Sequence, residues 1–262
     1  MIWNIHEFYV FLIALSFFLI AIELGFRLGN RFSAQEDGAL SDHVASLQSS
    51  VFGLLALLLG FTFAMSIERF DTRKQLVLEE ANNIGTTYLR SQFLPENLQQ
   101  EAGVLLQNYT ESRLAFFRAG DDMRKLELSE EKSAEIQKKL WNIAVQATKK
   151  PENPQAVSLF IQSLNDVIDD HEKRRVALEN HVPEPVVVLL FFVSMFGMGF
   201  IGYNYGLSGK RRHISTALFA FLIASVLILI LDIDRPRRGF IQVSQASLER
   251  VQGDIARDLA GR

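Results

Sequence analysis

Hydrophobic positions in this chain are concentrated in four runs, at 8–26, 51–67, 186–205 and 214–233. Between the second and third runs, apolar residues recur only at helical spacing among charged ones. A helix needs about 20 mostly apolar residues to cross roughly 30 Å of hydrocarbon, and each run is near that length. The pattern predicts an all-α integral membrane protein, with four transmembrane helices in two pairs and a helical cytoplasmic domain between the pairs. The predicted boundaries are a transmembrane hairpin at 1–67, with helices at 8–28 and 47–67, followed by the helical domain at 68–182. A second hairpin follows at 183–235, with helices at 185–206 and 213–233, and a C-terminal amphipathic helix lies within 236–262.

Ser41 and Asp42 read as N-caps of the second span. From there to Leu94 the chain has no proline, and its apolar run passes into an amphipathic stripe of Val77, Ala81, Ile84 and Tyr88. One continuous helix leaving the membrane is the expectation. Pro95 starts the next helix, with Leu98, Ala102, Leu105, Tyr109 and Phe116 on one face, and Gly120-Asp121-Asp122 breaks it. Ser129 reads as the N-cap of a helix that buries Ile136, Leu140, Ile143 and Ala147. The PENP run at 151–154 is a loop signal, after which Val157, Phe160, Leu164 and Ile168 form another stripe. Pro183 and Pro185 lead into the third span; Gly206 and Gly209 end it, and Pro236 and Gly239 end the fourth. A last helix, at about 244–259, carries Leu248, Val251, Ile255 and Leu259 on one side. Each amphipathic helix needs a partner face, so the domain is expected to be an antiparallel bundle packed on the extension of the second span.

Charge placement adds an orientation. With four spans, both termini and the central domain share one side, which carries Arg69, Arg73, Lys74, Lys173, Arg174, Arg175, Arg235, Arg237 and Arg238 near the membrane. The opposite loops carry Arg27 and Arg31, and Lys210, Arg211 and Arg212. The bias predicts a cytoplasmic central domain and termini. The first run has no Lys or Arg before it, which predicts a retained span rather than a cleaved leader. The chain has no cysteine, which excludes disulfides and thiolate chemistry, and its net charge of −3 gives no nucleic-acid footprint.

Candidate chemistry is sparse. The five histidines are scattered, and no nucleophile–base pair, metal motif or cofactor loop stands out, so an enzyme ranks last and no cofactor or metal is expected. Asp169-Asp170-His171-Glu172 reads as a solvated helix face. On the second span, Gly53, Ala56, Gly60 and Ala64, with Ser46 and Ser49, form a small-residue side suited to close helix packing, within one subunit or between subunits. Beside it, Phe52, Leu59 and Phe63 form a bulky strip. Repeated around a symmetry axis it would make a dewetting gate; otherwise it faces lipid. Asp232, Asp234 and Arg235 form a membrane-proximal polar corner, read as a salt-bridge corner ahead of a cation site.

Two segments, GLLALLLGFTFAMSIERFDTRKQLVLEEANNIGTTYLR at 53–90 and LDIDRPRRGFIQVSQ at 231–245, resemble the signature segments of a bacterial bestrophin-like membrane family. The resemblance implies a bacterial inner-membrane protein and a homo-oligomeric channel, with a pentamer favoured. It would conduct small ions, anions first, through a hydrophobic neck lined by the second span. Phe52, Leu59 and Phe63 would line that pore, and Asp232 and Asp234 would give membrane-proximal support. The chain lacks the dense acidic run after the last span that forms the calcium clasp of animal bestrophins, so calcium gating does not carry over. A second likeness, to stator and ExbB-type energisers, is one of layout only and leaves a non-conducting scaffold acting with a partner as the alternative.

Overall fold

The structure, a computed structural model, describes residues 7–33, 39–149, 151, 153–209, 211–235, 237 and 239–261. Lys210, Pro236 and Arg238, used above for orientation and for the end of the fourth span, lie outside them. The described residues form helices and connecting turns without strands: α1 (Glu7–Phe32), α2 (Ala39–Ser91), α3 (Glu96–Arg118), α4 (Met123–Lys149), α5 (Pro154–Glu179), α6 (Glu184–Leu207), α7 (His213–Asp234) and α8 (Ala246–Ala260). Four helical stretches are long and apolar enough to cross a membrane. The chain divides into two compact units, one of residues 1–68 and 181–235, the other of residues 69–180 and 236–262. Helix α2 is 53 residues long and belongs to both; at 1.5 Å per residue it extends about 80 Å.

The first unit is built on a glycine seam between α1 and α6. A methyl group added at Gly25, Gly29, Gly202 or Gly206 would overlap the backbone of the facing helix. The two backbones therefore touch directly, a packing that membrane helices achieve only with small residues. Around the seam, Phe18, Leu190, Met198, Ala220 and Ala224 are buried together, with Phe18 stacked on Phe191 at 5.6 Å between centroids. This close contact joins the first and third spans, which are not neighbours in sequence.

In the second unit, α3, α4, α5 and α8 share one core with the C-terminal half of α2. Val77, Ala81, Ile84 and Tyr88 of α2 meet Leu106 and Tyr109 of α3, Leu140 and Ile143 of α4, Phe160 and Leu164 of α5, and Leu248 and Ile255 of α8. Local signals fix the helix ends. Gly120 turns the chain at φ +56°, in the left-handed region that costs glycine nothing. The side chain of Asp122 then accepts from the Lys125 N–H at 3.2 Å and starts α4. Asn153 caps α5 by accepting from the Ala156 N–H at 3.2 Å.

Two expected caps are corrected. Ser129 lies inside α4, buried, and its carbonyl accepts the Ser112 hydroxyl at 2.9 Å. Asp122 had already supplied the cap. Ser41 and Asp42 lie in the first turn of α2, which begins at Ala39.

Candidate functional site

Helix α2 has two unlike sides in the first unit. Val44, Leu55, Leu59, Thr62 and Ser66 are buried. Phe52 meets Phe219 of α7 edge-on at 5.1 Å between centroids and stands over Gly197 of α6. Leu59 is in the core, and Phe63 is packed against it. The Thr62 hydroxyl is spent on the Leu58 carbonyl at 2.8 Å. The strip expected to face a pore, Phe52, Leu59 and Phe63, therefore has neighbours within its own chain.

The other side is uncovered. Gly53, Ala56, Gly60 and Ala64, expected to pack against a helix, are exposed, and a methyl group at Gly53 or Gly60 would meet nothing within 4 Å. Leu57 and Phe61 stand beside them, 55% and 61% exposed. Sequence periodicity distinguishes the two strips but does not say which one the remaining helices cover. The covered strip meets α6 and α7, through Gly197 and Phe219.

The polar corner at the end of α7 is a buried tie. The Asp234 carboxylate accepts from the Val182 N–H at 2.9 Å and lies 3.2 Å from His181 Nδ1. Arg235 is ion-paired with Glu7, and Asp232, Asp234, Arg235 and Glu7 are all buried. The corner fixes the segment leading into α6 and the first turn of α1 to the end of α7. Glu7 escaped sequence reading. Its signal was a lone carboxylate opening an apolar run, where a helix N-terminus favours negative charge.

The second unit contains a charge cluster around Glu80, which is fully buried. Arg113 Nε donates to Glu80 Oε1 at 2.8 Å, Arg174 donates to Oε2, and the Tyr109 hydroxyl donates to Oε1 at 3.2 Å. Burial pushes the Glu80 carboxyl up, but the Arg113 and Arg174 guanidiniums outweigh it and hold the group at about 2. Burial, with the Glu80 charge beside it, holds the Tyr109 phenol well above its ordinary range. His171 bridges outward, 2.7 Å from Glu130 Oε2 and 3.3 Å from the Tyr109 hydroxyl. Burial raises the half-buried Glu130, but its hydrogen bond to His171 prevails and lowers it.

The acidic run at 169–172 is therefore only partly a solvated face. Asp169 and Glu172 are exposed, whereas Asp170 and His171 are buried, Asp170 accepting from Asn83 at 2.6 Å and Lys173 at 2.9 Å. Among the described residues no group of three or more His, Asp or Glu side chains is placed to hold a metal ion.

A model of the Bestrophin-like domain family matches residues 10–248. This chain belongs to the bestrophin-like family. Solved structures agree in fold. A crystal structure of a bacterial bestrophin homologue from Klebsiella pneumoniae, carrying a single substitution, superposes with a TM-score of 0.70 at 15% identity, covering 98% of this chain and 99% of that one. A second structure of a Klebsiella pneumoniae homologue gives a TM-score of 0.69 at 16% identity, with 97% and 98% covered. A crystal structure described only as a membrane protein variant gives 0.70 at 15% identity, with 97% and 99% covered. No curated protein matches the sequence. The family match and the four membrane-length helices together describe a membrane protein of the bestrophin-like family.

Proposed function

We propose that the chain is one subunit of a homo-oligomeric channel, a pentamer, that conducts small anions across the bacterial inner membrane through a pore lined by α2. The second unit and both termini lie in the cytoplasm. One observation carries the reading: α2 leaves its small-residue side uncovered along the membrane-length part of the helix. Gly53, Ala56, Gly60 and Ala64 suit a close helical neighbour, and the subunit supplies none at that face among the described residues. A second copy of α2 does so when the subunits surround an axis.

In this reading the pore wall is the uncovered strip, with Leu57 and Phe61 at successive turns and Gly53 and Gly60 beside them. A ring of such groups offers nothing in place of an ion's hydration shell, so it gates by dewetting. Phe52, Leu59 and Phe63 stand behind the wall, where contacts with α6 and α7 hold α2 at its angle. Asp232, Asp234 and Arg235 support the membrane-proximal end of α7. The Lys/Arg bias set out above supports the cytoplasmic orientation.

The test is flux by the purified full chain alone in liposomes, with halide-sensitive dye inside. Chloride entry is the expected result. Silence of a folded, oligomeric protein would support instead a scaffold or energiser subunit that needs a partner, and a monodisperse monomer in nanodiscs would remove the shared pore.

A further inference from the structure

Helices α1 and α6 leave a groove along their glycine seam, within the first unit and away from the α2 strip. Ala21, Gly25 and Gly199 form its floor, and the exposed rings of Phe17, Phe32 and Phe196 stand along it. Among the described residues that line it, Tyr203 alone carries a side-chain oxygen. The groove has a volume of about 720 Å³, within the range of sites that enclose a small molecule. Gly199 differs from the glycines that close the seam. A Cβ there would meet only the Ala21 carbonyl, at 3.9 Å. The helix contact does not require this glycine, and its missing side chain keeps the groove open.

The groove ends at a basic side chain. Arg31 follows Leu24 by seven residues and Leu28 by three, and both leucines line the groove, so Arg31 shares their side of α1. Arg27 is paired with Glu23 at 2.8 Å, and Glu23 also faces Arg211 at 3.6 Å. Arg31 is exposed and has no paired carboxylate among the described residues. From Phe17 to Arg31 the helix rises about 21 Å. One leaflet with its headgroup region is half of roughly 40–45 Å. The groove therefore has the depth of one leaflet, apolar along the acyl region and basic at headgroup level. Tyr203 lies level with Gly29, whose added Cβ would meet the Tyr203 carbonyl, and an amphipathic ring is favoured near the headgroups. Basic side chains at a membrane surface attract anionic headgroups. We propose that the α1–α6 groove holds one anionic phospholipid, with an acyl chain along Gly25 and Gly199 and the phosphate at Arg31. The site needs neither conduction nor a symmetry axis, so its failure leaves the channel reading untouched.

The test places the full chain in nanodiscs of phosphatidylcholine with a minor share of phosphatidylglycerol and reads retained lipid by native mass spectrometry. One phosphatidylglycerol per subunit should be kept in preference to phosphatidylcholine. Arg31→Gln should weaken that preference about five-fold, the effect of one basic side chain at a membrane surface. Gly199→Leu fills the groove without striking the facing backbone. It should abolish retention while melting with the wild type. In a cryo-EM map, phosphatidylglycerol with brominated acyl chains should place bromine density along Gly199, which tests the site even if a variant fails to fold. Equal retention of the two lipids, undiminished retention in folded Gly199→Leu, or a neighbouring subunit's helix in place of the bromine density would each overturn the proposal.

Discussion

Glu7, in the first turn of α1, is ion-paired with Arg235, the residue immediately after α7, and both side chains are buried. The pair is separated by nearly the whole transmembrane sequence, yet it closes the first unit at one end. Removing one partner leaves the other charge buried, which typically costs about 3–5 kcal/mol. Glu7→Gln and Arg235→Gln should each lower the melting temperature in detergent, read by circular dichroism. The double variant should recover part of the loss. Single variants that melt with the wild type would show that the pair contributes nothing to stability.

The Glu80 cluster gives a pH signature. The folded carboxyl sits at about 2, below its ordinary value of 4.5. Its contribution is therefore complete above pH 4.5 and is lost as pH falls from there towards 2. At neutral pH, Glu80→Gln should cost about 3–5 kcal/mol, because Arg113 and Arg174 lose their shared partner. Between pH 4.5 and 2 the wild type should lose stability more steeply than the variant. Parallel acid denaturation curves for the two proteins would place the acid sensitivity elsewhere.

Glycines on α6 and α2 should behave oppositely. Gly202→Ala drives a methyl into the Ile22 backbone, an overpacking that typically costs about 1–3 kcal/mol, so little folded subunit is expected. Gly60→Ala meets no atom of its own subunit and should leave the subunit fold intact. In the oligomeric reading it acts on assembly instead. Size-exclusion chromatography with light scattering separates the two effects.

In the channel reading, Phe61→Ala should widen the dewetted ring. Basal chloride flux should rise by a factor on the order of ten, equivalent to about 1.4 kcal/mol off the barrier. Phe63→Ala, behind the wall, should change flux far less, and Thr62→Ala less still, since its hydroxyl serves the Leu58 carbonyl. The reverse order, with Phe63→Ala dominant, would return the pore to the strip of Phe52, Leu59 and Phe63.

Helices and turns were legible because their signals are local: long apolar runs, Pro95, the glycine turn at Gly120, and Pro183 before α6. The orientation of α2 was not, because which face is covered depends on where α6 and α7 settle, and no periodicity within α2 encodes that. The Glu80 cluster was half legible. Glu80 falls on the same helical stripe as Val77 and Ile84, so its burial could have been read from spacing. Its partners Arg113 and Arg174 lie on other helices, and only packing brings them to it. The corner residues Asp234 and Arg235 were singled out by their depth, but Glu7 became visible only once the ends of α1 and α7 were seen together.

The α1–α6 glycine seam also sets a timetable for biogenesis. Gly25 leaves the ribosome long before Gly202, and at a translation rate of roughly 5–20 residues per second the interval is on the order of 10–35 s. During that delay α1 is inserted with its glycine face open to lipid or to the insertion machinery. Any helix bearing small residues that docks there first competes with the native partner. The same backbone contact that makes the finished subunit tight thus makes its assembly order-dependent, with α1 waiting in the membrane until α6 is synthesised.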